Sequence, residues 1–302
     1  MSRILVTGSS GSIGTRLCES FLENNIDFIG LDLKKNKWNK EVNNRTVISD
    51  LRTYDFARKL PKEVDTVIHL AANSRVNDLI LDPSLALENF VTLFNILEYS
   101  RKSNVSKFLF SSSREVYGNV SSSNAIESQV DLNLCESPYS ASKLGGEALI
   151  QSYKKCFNLD FIIFRFSNVY GMYDKSNRVI PVFLELCKLN KKLVVYGKEK
   201  ILDFVYIDDV IYSILSSIEK FDDVKNDVFN VAYGEGTTLV HLANVIKSET
   251  NSETEIIIEE NRTGEVMKFV GDISKSNQKL SYSPQVSLEQ GIIKAVQWYS
   301  IN

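Results

Sequence analysis

The stretch Arg3-Ile-Leu-Val-Thr-Gly-Ser-Ser-Gly-Ser-Ile-Gly14 decides the fold of this chain. A short apolar run leads into a glycine-rich turn, and from Thr15 onward apolar residues recur at helical spacing. Glycines allow a tight turn and a close approach of the backbone to a pyrophosphate, and a helix N-terminus offers it free N–H groups. This order of strand, turn and helix predicts the first βα unit of a dinucleotide-binding sheet.

A second apolar run covers residues 27–33, and Asp32 stands near its end. A carboxylate at this point accepts hydrogen bonds from an adenosine ribose and repels a 2′-phosphate, which favours NAD over NADP. Lys34 and Lys35 follow directly, so some tolerance of NADP stays open.

Apolar runs and helical stretches continue to alternate up to about residue 170. Further strands are predicted at 46–51, 64–72, 105–110 and 159–165, with helices at 83–102 and around residue 139. Such alternation implies right-handed βαβ crossovers and strands covered on both faces. We predict an α/β fold: a Rossmann-type doubly wound parallel sheet with a smaller C-terminal α/β substrate domain. The expected domains are 1–170, with returns near 204–232, and 171–302.

Composition limits the classes of partner. The chain has 302 residues and a net charge of −3, so no basic surface argues for nucleic acid or an anionic membrane. No apolar run approaches the roughly 20 residues needed to span a bilayer, and the N-terminal residues lack a signal-peptide core. The four cysteines show neither close pairing nor metal-ligand spacing. We expect a cytoplasmic protein without a metal site.

The stretch Ser137-Pro-Tyr-Ser-Ala-Ser-Lys143 carries candidate chemistry. On a helix, Tyr139 and Lys143 lie on one face about one turn apart. The ammonium of such a pair lowers the pKa of the tyrosine toward neutrality and makes it a general acid and base. The same spacing also suits an ordinary helix with two solvated residues, so the pair depends on its context.

Together, these motifs resemble those of extended short-chain dehydrogenases/reductases of the NAD-dependent epimerase/dehydratase family, which act on nucleotide sugars. The matching stretches occur in the family's order over nearly the whole chain. They are 7–14, Asp32, Asp50-Leu51, 69–72, 111–118, Tyr139 with Lys143, 165–171, 203–210 and 262–265.

The resemblance implies NAD as the cofactor. Its pyrophosphate would lie on the turn, its adenosine ribose at Asp32 and its adenine between Asp50 and Leu51. The implied contacts in the turn are Gly8, Gly11, Ser12, Ile13 and Gly14. The remaining implied contacts are Leu70, Ala71, Ala72, Asn89, Ser111, Tyr139, Lys143, Phe166 and Val169.

The resemblance also implies a catalytic set of Ser113, Tyr139 and Lys143. Tyr139 would remove a proton from a sugar hydroxyl while a hydride passes to NAD, and Ser113 would hydrogen-bond that oxygen. Lys143 would hold the nicotinamide ribose. In an epimerase the keto sugar then rotates and takes the hydride back on its other face, so NAD is regenerated.

Arg114 and Glu115 bear on which reaction follows the oxidation. Nucleotide-sugar 4,6-dehydratases commonly have an Asp-Glu pair here, and arginine is a poor proton donor. The sequence therefore favours an epimerase, most plausibly at C4. A 4,6-dehydratase or decarboxylase using Glu115, and a keto-sugar reductase, stay open. Glu115 is either catalytic or structural, and Arg114 is either a surface residue, which we favour, or a contact to an acidic sugar.

The nucleotide diphosphate would be held by the second domain. The resemblance implies Asn168, Val179 and Arg262 as contacts, and Arg178 is a further cation nearby. The family often has arginine where this chain has Leu202. At Leu202 the phosphate contact is therefore either missing or supplied by Lys198, Lys200 or Arg178. A homodimer through the helices near 84–101 and 139–156 is also expected.

Overall fold

A computed structural model describes residues 3–61, 63–120, 124–261 and 266–301. The first half of the chain alternates strands with helices. The strands are β1 (Ile4–Thr7), β2 (Phe28–Asp32), β3 (Thr46–Ile48), β4 (Thr66–His69), β5 (Lys107–Ser113) and β6 (Asp160–Phe166). The helices are α1 (Ser12–Glu23), α2 (Lys40–Asn44), α3 (Val76–Leu81), α4 (Ser84–Lys102) and α5 (Pro138–Phe157).

The second half mixes short strands and helices. The strands are β7 (Asn168–Tyr170), β8 (Leu193–Tyr196), β9 (Ile201–Tyr206), β10 (Asp227–Val231), β11 (Gly236–Thr238) and β12 (Ile256–Glu259). The helices are α6 (Val179–Lys188), α7 (Ile207–Glu219), α8 (Phe221–Val224), α9 (Leu239–Glu249), α10 (Ser274–Leu280) and α11 (Leu288–Ile301). Among the helices described, none is long and apolar enough to cross a membrane.

The central sheet confirms the predicted Rossmann-type fold. Its seven strands lie in the order β10-β6-β5-β4-β1-β2-β3, and every pairing is parallel. The chain runs outward from β1 in one direction and then returns to build the other side from β4. The strand order therefore reverses between β1 and β4, which is where such sheets bind their ligands, beyond the carboxyl ends of the strands.

Both faces of the sheet are covered, which explains why its strands lack polar alternation. On β1, Ile4 and Val6 join a core with α1 and α7, while Leu5 joins a second core with α4 and α5. Two small sheets, β11-β9-β7 and β12-β8, lie outside the central sheet. With α6, α9 and α11 they enclose a third core.

Three strand ends differ from the sequence prediction. Strand β3 ends at Ile48 and β4 at His69, and the residues beyond them are loops that line the cleft described below. Strand β5 instead continues to Ser113, because Ser112 and Ser113 pair with Arg165 and Phe166 of β6. The seryl run that follows the predicted strand is thus part of the sheet.

Candidate active site

A cleft of about 1220 Å³ runs along the carboxyl ends of the parallel strands. Pockets for single small ligands are usually about 300–1,000 Å³, so this cleft has room for a dinucleotide and a second ligand. The structure brings together in this cleft every predicted site residue that it describes. Arg262 lies outside the described residues.

The glycine turn presents bare backbone to the cleft. Gly8 has a φ of +73°, and a Cβ there would lie 2.8 Å from the N atom of Ala71. A Cβ on Gly14 would lie 2.0 Å from the carbonyl oxygen of Gly8. Gly11 precedes α1, whose first turn contains Ser12 and Ile13. The N–H groups that open α1 have no acceptor within the helix, and this fits a pyrophosphate.

Asp32 is held in place at the end of β2. Its carboxylate accepts hydrogen bonds from the backbone N–H of Ser10 at 2.9 Å and of Lys34 at 2.8 Å. A carboxylate has about four acceptor positions, so capacity remains for ribose hydroxyls. Lys34 and Lys35 also line the cleft.

Asp50 and Leu51 line the cleft at the end where Asp32 lies. Arg52 donates to the Asp50 carboxylate from Nη2 at 2.8 Å and pairs with Glu88 at 2.7 Å. The hydrogen bond from Arg52 lowers the pKa of Asp50. The buried Leu51 is anchored by a hydrogen bond from Asn95 to its carbonyl oxygen, at 2.7 Å. Arg52 lines the cleft and was missed by the sequence reasoning.

Asn89 acts on the loop that follows β4. Its amide accepts from the N–H of Asn73 at 2.7 Å and donates to the carbonyl oxygen of Asn73 at 2.9 Å. The pair of bonds fixes the loop of Leu70, Ala71 and Ala72 against the glycine turn. Asn89 therefore shapes the predicted cofactor cleft by holding its wall.

Helix α5 carries Tyr139 and Lys143 into the cleft. Ser137 caps the helix and Pro138 opens it, which suits the missing N–H of proline at that position. Both side chains are buried. The Nζ of Lys143 donates to the carbonyl oxygen of Ser111 at 2.7 Å and lies 5.8 Å from the centre of the Tyr139 ring.

Burial dominates the titration of both groups. It lowers the pKa of Lys143 to about 8. It raises the pKa of Tyr139, and a hydrogen bond with Ser113 and the charge of Arg178 offset that rise only in part. The prediction that the pKa of Tyr139 falls toward neutrality is therefore wrong for this structure. The physical reason is that both side chains have left water, and the ammonium is directed at the oxygen of Ser111.

Ser113 ends β5, and Arg114 follows it into a buried 3₁₀ turn. Arg114 is only 8% exposed, so the interpretation of it as a surface residue is wrong. Its Nη2 lies 2.7 Å from Oε1 of Glu115, and its Nε donates to Oδ1 of Asn168 at 3.3 Å. Within the described residues, Nη1 of Arg114 and Oε2 of Glu115 are buried without a hydrogen-bond partner. Val116 and Tyr117 of the same turn are also buried, so the whole turn lies in the interior of the protein.

Asn168 links this turn to the second lobe of the cleft. Its Nδ2 donates to the carbonyl oxygen of Asp203 at 2.9 Å. The buried Asp203 carboxylate accepts from the N–H groups of Tyr233 at 2.8 Å and Gly234 at 3.0 Å. Burial raises the pKa of Asp203 to about 6, although these N–H groups act in the opposite direction. Asp203 thus joins Asn168 of β7 to the loop that contains Tyr233 and Gly234, next to the predicted substrate site.

Arg178 and Val179 stand at the start of α6. Arg178 donates from Nη2 to the hydroxyl of Ser74 at 2.8 Å, across the mouth of the cleft. Lys200, 6% exposed, lines the cleft beside Leu202, whereas Lys198 is exposed and does not line it. Of the three cations considered for a phosphate contact, Lys200 and Arg178 are therefore in position.

A buried ion pair lies beneath the catalytic set and was not found from the sequence. Arg165 binds Glu147 through two hydrogen bonds, of 2.7 and 3.0 Å. Glu147 also accepts from the hydroxyl of Ser112 at 2.5 Å, and Arg165 donates to the hydroxyl of Tyr117 at 3.1 Å. The network fixes the end of β5, where Ser113 stands. An arginine within the apolar run Phe161-Ile-Ile-Phe-Arg-Phe166 was the signal that could have revealed it.

The chain is similar to proteins of one family over its full length. The pattern of the NAD-dependent epimerase/dehydratase family matches residues 4–232. A putative UDP-glucose 4-epimerase of Methanocaldococcus jannaschii is 33% identical, with 99% of each chain covered. The dTDP-glucose 4,6-dehydratase of Escherichia coli is 27% identical, covering 99% of this chain and 93% of that one.

The fold is also similar to a solved structure with its cofactor. The Thermus thermophilus UDP-glucose 4-epimerase in complex with NAD is 26% identical and superimposes with a TM-score of 0.90, over 99% of each chain.

Proposed function

The chain belongs to the NAD-dependent epimerase/dehydratase family, and we propose that it is an NAD-dependent nucleotide-sugar epimerase acting at C4. The observation that carries this proposal is the meeting of Ser113, Tyr139 and Lys143 beside the glycine turn, with Arg114 paired to Glu115. In this proposal, residues 1–170, with returns near 204–232, hold the cofactor, and residues 171–302 mainly hold the nucleotide sugar.

The chemistry that NAD supplies when bound is the uptake and return of a hydride. The chain supplies the proton transfer and the orientation. Tyr139, through its phenolic oxygen, takes the proton of the sugar C4 hydroxyl and later returns it. Ser113 stabilises the charge that develops on the same oxygen. Lys143, fixed by Ser111, is placed to hold the nicotinamide ribose of the bound cofactor, while the hydrogen bond with Ser113 and the charge of Arg178 favour the ionised phenol.

The Arg114–Glu115 pair supports epimerisation over elimination. Loss of a hydroxyl from a keto sugar needs one group to protonate the leaving oxygen and another to take the neighbouring proton. An arginine is a poor proton donor, and the guanidinium of Arg114 binds Oε1 of Glu115 at 2.7 Å. One oxygen of the carboxylate that would act as the base is thereby occupied by the guanidinium. In the absence of elimination, the keto sugar rotates and takes the hydride back on its other face.

A 4,6-dehydratase or decarboxylase is the second candidate, because Glu115 is present and a dehydratase is among the similar proteins. A keto-sugar reductase that consumes NAD(P)H is the third. Incubation with UDP-, dTDP-, GDP- and CDP-sugars, followed by mass spectrometry and chromatography of the products, separates them. An epimer formed without added cofactor supports the proposal. A 4-keto-6-deoxy product, or stoichiometric loss of NADPH, supports the second or third candidate respectively.

We further propose a cytoplasmic homodimer. Leu87, Phe90 and Phe94 are exposed apolar residues on α4, which packs beside α5, and their burial against a second copy would remove apolar surface from water. The cysteines at 18, 135, 156 and 187 are free thiols, which suits a reducing compartment. Light scattering tests the dimer, and a monomeric mass at micromolar concentration would exclude it.

A further inference from the structure

Three aromatic residues from distant parts of the chain meet beside the cleft. Trp38 follows β2, Tyr173 lies between β7 and α6, and Trp298 belongs to α11. The ring centres are 5.8 Å apart for Trp38 and Tyr173, 5.1 Å for Trp38 and Trp298, and 5.4 Å for Tyr173 and Trp298. We call these three residues the aromatic clasp. Tilted and edge-on rings at these distances attract one another beyond the burial of their area.

One arm of the clasp reaches the glycine turn. The backbone N–H of Trp38 donates to Oδ1 of Asn36 at 2.9 Å. The Nδ2 of the buried Asn36 donates to the carbonyl oxygen of Ser9 at 3.2 Å and to the hydroxyl of Thr15 at 2.8 Å. The position of Trp38 is thus tied to the backbone that would hold the cofactor pyrophosphate.

The other arm holds a strained residue. Tyr173 has a φ of +68°, in the left-handed region that a bulky side chain rarely adopts. Its hydroxyl donates to Oε2 of Glu19 on α1 at 2.7 Å. Residues persist in this region only when their surroundings hold them there. The two tryptophan rings and Glu19 are those surroundings.

The strained residue begins the segment that carries Arg178. The next residue, Asp174, accepts at its carbonyl oxygen from the hydroxyl of Tyr299, the neighbour of Trp298 on α11. Its carboxylate accepts from the N–H of Ser176 at 2.9 Å and lies 3.7 Å from Nη1 of Arg178. From this base Arg178 extends across the cleft, and its charge lowers the pKa of Tyr139.

We propose that Trp38, Tyr173 and Trp298 are positioning residues that hold Arg178 over the substrate end of the cleft and tie it to the glycine turn. The inference rests on the proposed function for the identity of the substrate, a nucleotide diphosphate sugar. It does not depend on which reaction follows. The clasp makes no contact of its own with a reacting atom and acts through Arg178.

A double-mutant cycle tests the proposal, with UDP-glucose as the probe and calorimetric Kd as the measurement. Trp298→Leu should weaken UDP-glucose binding roughly tenfold and change NAD affinity less than twofold, because the glycine turn stays intact. Arg178→Met should weaken binding similarly. The double variant should bind no worse than Arg178→Met alone, since the clasp acts through that residue. Independent, multiplied losses would overturn the proposal.

Further variants separate positioning from folding. Tyr173→Gly suits the left-handed backbone, so it removes the ring without adding strain. Trp298→Phe keeps a ring and should restore most of the binding. Tyr212→Leu removes an exposed aromatic ring of α7 outside the cleft and should leave both affinities unchanged. Both tryptophans of the chain lie in the clasp, so in Tyr173→Gly, which keeps both, their emission reports directly whether the clasp has opened.

Hydrogen exchange gives a readout that needs no sugar. In Trp298→Leu and Tyr173→Gly, the amides of residues 173–178 should exchange at least tenfold faster, while those of α5 stay protected. Unchanged exchange in that segment would overturn the proposal even if UDP-glucose proved not to bind. Faster exchange in a protein that does not bind UDP-glucose would uphold the clasp and count against the proposed function alone.

Discussion

The buried ammonium of Lys143 should lower the free energy of unfolding of the ligand-free protein, although the proposed reaction needs this residue. Its side chain is buried, and burial lowers its pKa from an ordinary value of 10.5 to about 8. At about 1.4 kcal/mol per pKa unit, holding the ammonium inside the protein at pH 7 costs about 3 kcal/mol. Lys143→Met fills a similar space without the charge. We expect it to raise the free energy of unfolding at pH 7 by up to that amount while abolishing turnover.

The pH dependence gives the prediction a sign. Between about pH 8 and 10.5 the unfolded chain binds this proton more tightly than the folded protein does. The contribution of Lys143 to the free energy of unfolding therefore rises with pH across that window, and the full penalty applies below it. The stability advantage of Lys143→Met should accordingly be largest at pH 7 and shrink toward pH 10.

Urea unfolding at pH 7 and pH 10 measures both effects. Lys155→Met is the matched control, because Lys155 is an exposed lysine on the same helix. It should change neither the stability nor its pH dependence appreciably. A Lys143→Met protein that is less stable than the parent at pH 7, or whose advantage is the same at both pH values, would refute the reasoning from burial.

Four further predictions concern the site and its support. Tyr139→Phe should lower turnover by about 10²–10⁴-fold and leave calorimetric NAD binding intact; an active variant would show that Tyr139 is not the acid and base. Asp32→Ala should reduce the ratio of NAD to NADP affinity, and an unchanged ratio would count against its ribose contact. Arg165→Met should cost about 3–5 kcal/mol in urea unfolding, because it leaves the Glu147 carboxylate buried without its partner. The double variant Arg165→Met/Glu147→Leu should recover most of that loss, and a further loss would contradict the explanation. Arg114→Asp should divert part of the product to a 4-keto-6-deoxy sugar, detected by absorbance in alkali; epimer alone, at a normal rate, would speak against a role for Arg114 in the choice of reaction.

The sequence predicted the parts of this protein that depend on neighbouring residues. The glycine turn needs a positive φ at Gly8 and no Cβ at Gly14. Both requirements are met by glycines within one contiguous stretch of the sequence. The spacing of Tyr139 and Lys143 follows from the period of a single helix. The family resemblance then implied the wider set of residues lining the cleft.

The sequence predictions for Arg114 and Tyr139 were wrong because both side chains are buried. An arginine beside a polar residue suggests a surface position, yet the 3₁₀ turn carries Arg114 inward to Glu115 and Asn168. A lysine one turn away suggests a lowered pKa for Tyr139, yet burial of both side chains raises it. Desolvation depends on every group that surrounds a side chain. The spacing along a helix identifies only one of these groups, here the lysine one turn away.

By itself, then, the sequence determined the parallel sheet, the dinucleotide turn and the helix that presents Tyr139 and Lys143. These follow from local periodicity and backbone sterics, which act over a few residues. Only the tertiary structure decided that Arg114 is buried against Glu115, and that Arg165 supports the end of β5. It alone brought Trp38, Tyr173 and Trp298 together around Arg178. Those contacts join residues from separate elements, and their energies depend on how completely the fold excludes water from them.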